Sequence, residues 1–80
     1  MENFHAFTVK YHGATNTRAA RVSITSESFE QTIYIDYNYT LDRSADIAKV
    51  ELNKRGFDVA GIASTKNGYI LLSKIFKPLK

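Results

Sequence analysis

The stretch FEQTIYIDYNY, residues 29–39, alternates apolar and polar side chains over the longest run in the chain. Phe29, Ile33, Ile35, Tyr37 and Tyr39 fall on one parity, and Glu30, Thr32, Tyr34, Asp36 and Asn38 on the other. Side chains of an extended backbone point alternately to opposite faces, so a period of two makes residues 29–39 a long strand with one apolar face. Such a face needs a second layer to cover it, and the flanking segments supply both more strands and a helix.

Toward the N-terminus, Phe4 to His12 alternates, with Phe7, Val9 and Tyr11 on one face and Ala6, Thr8, Lys10 and His12 on the other. Ala20, Val22 and Ile24 alternate with Arg21, Ser23 and Thr25, which makes a second strand, and the polar cluster TSES at residues 25–28 turns the chain into the third. Toward the C-terminus, Asp42 and Ser44 suit a helix N-cap, Asp46 suits the positive end of the helix dipole, and Lys54 and Arg55 suit the negative end. Gly56 stands where a left-handed C-cap is wanted, with Phe57 placed to fold back on the last turn. On a helical wheel Leu41, Ala45, Ala48 and Leu52 form the core stripe, Val50 lies nearly opposite and Ile47 well to one side. Val59 to Thr65 and Tyr69 to Phe76 read as a closing hairpin turned by Asn67-Gly68, a pair suited to a type I′ turn. That register sets Lys66 against Tyr69 and Ala63 against Leu72. Large apolar groups then lie on both faces of the last strand: Ile70, Leu72 and Phe76 on one, Tyr69, Leu71 and Ile75 on the other.

The resulting expectation is an α+β fold in one domain, residues 1–80: a single antiparallel sheet of about five strands in the order β-β-β-α-β-β, with one helix packed on one face. The last hairpin should pair with the first or the third strand. A chain of this length buries only about 60% of its unfolded surface, so the core must be compact. With no cysteine there is no disulfide or thiolate chemistry, which fits a reducing cytoplasm. No signal-like segment and no apolar run long enough to span a bilayer is visible, so a soluble protein with no membrane partner is expected.

Charge is unevenly placed. Residues 1–25 carry a net +2, residues 26–46 a net −4 from Glu27, Glu30, Asp36, Asp42 and Asp46 against Arg43, and residues 47–80 a net +5. His5 and His12 are an odd number of positions apart on one strand and so lie on opposite faces, unable to share a metal. Glu30 and Asp36 share a strand face but stand about 20 Å apart at roughly 3.3 Å per residue, too far to act as paired acid and base. No nucleophile elbow and no glycine-rich phosphate loop occurs. The expectation is a non-enzymatic binding protein with no cofactor and no metal.

Candidate partner-binding residues are Lys10, Arg18 and Arg21 around the loop HGATNTRAAR (residues 12–21), Tyr34 and Asp36 on the polar face of the third strand, and Ile47 and Val50 as an exposed apolar patch serving a partner or a homodimer. Asn16 and Thr17 offer local side-chain to backbone bonds within the loop. Tyr37 and Tyr39 are expected in the core.

GATNTRAARVSI, with Tyr37-Asn38-Tyr39, Gly56 and the closing NGYILL, resembles a group of short proteins carried by phages, plasmids and integrative elements. These read approximately A-T-N-T-R-G-A-R-[VI] near the start, Y-D-Y in the middle and G-Y before the end. The resemblance covers most of the chain, which departs from the pattern at Ala19 in place of Gly and at Asn38 in place of Asp. It implies a genetic setting in which many small, cysteine-free proteins inhibit host defence, anti-CRISPR proteins among them. By that analogy the partner is a host protein or ribonucleoprotein complex that handles nucleic acid. The alternative is direct nucleic-acid binding through Lys10, Arg18, Arg21 and the basic C-terminal part.

Overall fold

The structure, a computed structural model, describes residues 3–37, 40–41 and 43–80. Five strands form one antiparallel sheet: β1 (His5–His12), β2 (Arg21–Ser26), β3 (Gln31–Asp36), β4 (Val59–Thr65) and β5 (Gly68–Ser73). Helix α1 (Ser44–Lys54) lies between β3 and β4 in sequence, and the strands are ordered β3-β2-β1-β5-β4 across the sheet. The closing hairpin therefore pairs with the first strand, through β5. No helix among the described residues is long and apolar enough to cross a membrane.

The core lies between the sheet and α1. Phe7 and Val9 of β1, Val22 and Ile24 of β2 and Leu71 of β5 are buried with Ala45, Ala48 and Leu52 of the helix stripe. Ile47 corrects the expected exposed patch: it is only 5% exposed and belongs to the core. The reason is width. A helix is about 10 Å across and five strands span about 19 Å, so side chains on the helix shoulders must fill the space beside the central stripe. Ile47 does this toward β3, where it shares a cleft with Ile35 and Leu41. Val50, at 44% exposure, does face outward. Phe57 and Leu79 complete the core from segments outside the regular elements. Leu79 is held there by its backbone, since the N–H groups of Leu79 and Lys80 both donate to Gln31 Oε1 (2.8 and 3.1 Å) and Arg55 donates to the Leu79 carbonyl.

The third strand is shorter than its alternation suggests. β2 continues through Thr25 to the fully buried Ser26, and residues 27–30 turn the chain. Ser26 Oγ accepts the Phe29 N–H (3.2 Å), and Glu30 takes a left-handed conformation with φ of 54°. Phe29 and Glu30 thus stand outside β3. Tyr37 packs against the core as expected, whereas Tyr39 lies outside the described residues. Tyr11, at the far end of β1, is 52% exposed, with its ring edge-on to Tyr37.

Both helix ends show how local sequence sets structure. The N-cap is Arg43, without a side-chain cap bond, so Ser44 is the first helical residue; Asp42 lies outside the described residues. Arg43 instead grips Asp46 through two bonds of 3.1 and 3.2 Å. The guanidinium holds the Asp46 carboxyl below its ordinary value, so this contribution is present above the unfolded carboxylate range and is lost as pH falls through the lowered one. At the C-terminus, Phe57 N–H reaches the Leu52 carbonyl (2.9 Å) and Gly56 N–H the Asn53 carbonyl (3.2 Å), the Schellman pattern. Gly56 has φ of 88°. Gly56→Ala should cost about 1–2 kcal/mol, because a Cβ disfavours the left-handed region. The check is a thermal melt, expected to drop by about 4–8 °C per kcal/mol in a domain of this size.

The hairpin differs from expectation in register. Thr65 pairs with Gly68 and Ala63 with Ile70, so the two-residue turn is Lys66-Asn67 rather than Asn67-Gly68. No residue of this turn has positive φ, which excludes type I′. The shift is by two, so every side chain keeps its face. Gly68 is thereby moved from the turn into the ladder, where β5 runs close against the Val9 carbonyl of β1. The face opposite α1 carries Ile70 and Leu72, both half-buried, so the second apolar side of the last strand is partly open.

Candidate interaction face

The sheet has one covered face and one open face, and strand register decides what the open face displays. Thr8, Lys10 and His12 of β1 stand opposite Thr25, Ser23 and Arg21 of β2. These in turn stand opposite Thr32, Tyr34 and Asp36 of β3. Directly opposed residues of antiparallel strands share a face. The open face therefore presents three rows of three: Thr8-Thr25-Thr32, Lys10-Ser23-Tyr34 and His12-Arg21-Asp36.

Contacts within the first row and between the second and third tie the face together. Thr25 and Thr32 hydroxyls lie 3.0 Å apart, and Thr8 donates to Glu27 at 2.7 Å. Ser23, at the centre, is only 5% exposed, and its hydroxyl is 3.0 Å from His12 Nε2. Tyr34 is 58% exposed. The Arg21 guanidinium lies over its ring, 5.0 Å from the centroid, and the His12 ring approaches it at 5.8 Å. A shallow cleft runs across the first two rows, floored by Thr8, Ser23 and Thr25 and walled by Lys10 and Tyr34.

Lys10, Arg21, Tyr34 and Asp36 are thus brought together on one face. Arg18 is exposed in the loop that joins β1 to β2 at the His12-Arg21 end. That loop is braced by Thr15, whose Oγ1 accepts the N–H groups of Thr17 and Arg18 while its own N–H donates to the Arg18 carbonyl. Thr15, rather than Asn16 or Thr17, is the side chain that organises the loop. Ile47 and Val50 belong to the helix layer, away from the open face, and Ile47 is core. His12 was not among the expected contact residues. The even spacing of Lys10 and His12 on β1 is the sequence signal that puts them together.

Two of the C-terminal basic residues, Lys77 and Lys80, do not join this face. Lys77 lies over the Phe57 ring at 5.0 Å, and Lys80 is tied by its backbone to Gln31, both on the helix side. The open face itself balances Lys10 and Arg21 against Glu27 and Asp36. His5 and His12 fall on opposite faces of β1, and no group of three or more possible metal ligands occurs among the described residues.

Comparison with protein-family models, curated proteins and solved structures gave no match.

Proposed function

We propose that this is a non-enzymatic binding protein that docks on a protein partner through the open sheet face, with Arg21 and Tyr34 as its anchor. The observation that carries this reading is the exposed Tyr34 ring held beneath the Arg21 guanidinium. Tyr and Arg are the residue types that concentrate binding energy at protein interfaces, and side chains already fixed by one another lose less entropy on docking. Mixed charge favours a protein over nucleic acid, since a phosphate backbone would meet Glu27 and Asp36 as well as Lys10 and Arg21.

Two features support a non-catalytic role. The His12-Ser23 pair has the spacing of a base and a nucleophile, but no third group among the described residues orients His12 through Nδ1. Ser23 also lies in the middle of a paired strand, where neighbouring N–H groups serve the ladders rather than an oxyanion. In the setting implied by the resemblance, the partner is a host complex that handles nucleic acid, and docking inhibits a host defence system.

The test begins with capture of the partner complex from host lysate, with and without nuclease, followed by titration of the captured complex. Arg21→Ala and Tyr34→Ala should each weaken binding by about tenfold or more while shifting stability by no more than about 1 kcal/mol. Variants that bind like the parent would remove the open face from the interaction. Binding to nucleic acid alone, with a salt slope that Arg21→Ala reduces by about one unit, would favour the direct nucleic-acid reading instead.

A further inference from the structure

Of the chain's asparagines, Asn3, Asn16, Asn38, Asn53 and Asn67, only Asn67 is followed by glycine. An asparagine carboxamide can close a cyclic imide on the backbone nitrogen of the next residue, and a side chain on that residue hinders the closure. Glycine has none. The fold exposes this pair and shields others. Lys66 and Asn67 form the two-residue turn between β4 and β5, and both are exposed. The Asn67 carboxamide makes no hydrogen bond among the described residues. Asn53 instead lies inside the last turn of α1, and Asn16 precedes the β-branched Thr17, whose N–H is taken by Thr15 Oγ1.

Charge around the turn favours the same reaction. Lys66 is part of it, and Lys10 of β1 runs beside Gly68, its Cα 3.7 Å from where a Cβ on Gly68 would stand. Nearby cations favour the anion that forms when an amide loses its proton. One contact opposes it. The Thr65-Gly68 pair closes the turn, so the Gly68 N–H donates to the Thr65 carbonyl. The nitrogen cannot cyclise while that bond stands, and the hairpin tip must open first.

We propose that Asn67 is a self-modification site, at which the carboxamide cyclises onto the Gly68 nitrogen when the hairpin tip opens. Hydroxide takes the Gly68 amide proton and the nitrogen bonds Asn67 Cγ. The Cγ–Nδ2 bond then breaks, and ammonia leaves with a proton from water, which regenerates the hydroxide. Water opens the resulting succinimide in one of two ways. Cleavage between the nitrogen and Cγ yields aspartate, and cleavage between the nitrogen and the main-chain carbonyl carbon yields isoaspartate. Water is the only co-reactant consumed. Either product lowers the formal net charge of +3 by one. Isoaspartate also adds a methylene to the backbone immediately before Gly68, which lies too close to the Val9 carbonyl to absorb it. The Thr65-Gly68 pair is then lost and the hairpin loosens.

Incubation of the full chain at neutral and mildly alkaline pH, folded and in denaturant, tests this. Intact mass with fragmentation locates the exchange of amide for acid, and an isoaspartate-specific methyltransferase labels the isoaspartyl product. Acid should appear at Asn67, faster as pH rises, and about tenfold or more slowly in the folded chain because opening is required. Asn67→Gln should remove the product while keeping the melting temperature of the parent. The separated isoaspartyl form should melt below the parent, and the aspartyl form close to it. A folded chain that shows no acid at Asn67 after weeks at mildly alkaline pH overturns the proposal. So does conversion equally fast folded and denatured, which removes the opening step, or acid that appears first at Asn16 or Asn53.

Discussion

Gly68→Ala should lower stability by about 3 kcal/mol or more, the largest loss expected from adding one methyl group anywhere in this chain. A Cβ at this position would overlap the Val9 carbonyl oxygen and crowd the backbone of Lys10. Both are main-chain atoms of β1 in the middle of the sheet, paired on one side to β2 and on the other to β5. Neither can yield without breaking ladder bonds. The contrast is Gly56, where the nearest atom to an added Cβ is the flexible end of Lys77 at 2.6 Å, and only the backbone conformation is at stake. Gly61 would meet nothing closer than a Leu72 methyl at 3.8 Å, so Gly61→Ala should be nearly neutral in packing. Denaturant unfolding of the three alanine variants should therefore rank Gly68 far above Gly56, and Gly56 above Gly61. Equal losses at Gly68 and Gly61 would show that β5 does not approach β1 closely.

Gly68 also explains why the hairpin register was not legible in the sequence. Asn67-Gly68 is a strong local signal for a turn, and read alone it places both residues at its tip. The glycine is needed instead at the first position of β5, where tertiary structure brings one backbone against another. No pattern within the hairpin records that demand. The parity of the strands was legible because it survives a shift of two, and so the faces of β5 were assigned correctly under the wrong register. Helix termination was legible for the opposite reason: Gly56 and Phe57 act on carbonyls within the same turn, and nothing distant competes. Ile47 escaped because the width of the sheet, not the helix, decides that it is buried, and Leu79 because its place is set by Gln31 and Arg55, far from it in sequence.

The interaction face was half legible. Alternation on each strand identified Lys10, Arg21, Tyr34 and Asp36 as polar-face residues, but a row across three strands depends on two registers that no single strand reports. His12 and Ser23 enter only when Lys10 is opposite Ser23 and Ser23 opposite Tyr34. The loop's arginines were read together, yet they separate: Arg21 is a strand residue stacked on Tyr34, while Arg18 remains in the loop.

His5→Ala should be among the most damaging side-chain truncations, at about 3–5 kcal/mol, because it removes both a packed ring and two buried hydrogen bonds. His5 is fully buried, and its Nδ1 lies 3.0 Å from the Ile75 carbonyl oxygen. A carbonyl only accepts, so Nδ1 carries the hydrogen and, in the neutral ring, Nε2 accepts from the Ser26 hydroxyl at 2.6 Å. Ser26 Oγ in turn accepts the Phe29 N–H. One imidazole thus links the start of β1, the turn between β2 and β3, and the segment after β5. Around it, Phe7 lies at 4.2 Å, Phe76 stacks at 5.4 Å with a 10° interplanar angle, and Phe57 meets it edge-on at 5.6 Å. His5→Phe separates the two contributions, since it keeps a ring of similar shape among these aromatics but leaves the Ile75 carbonyl and the Ser26 hydroxyl without their partner. It should cost about 1–3 kcal/mol, the penalty for orphaned buried polar groups, and so fall between the parent and the alanine variant. Against a total stability of about 5–15 kcal/mol, the alanine variant should melt far below the parent. A phenylalanine variant as stable as the parent would show that aromatic packing alone holds the three segments together, and one as damaged as alanine would assign the whole effect to the hydrogen bonds.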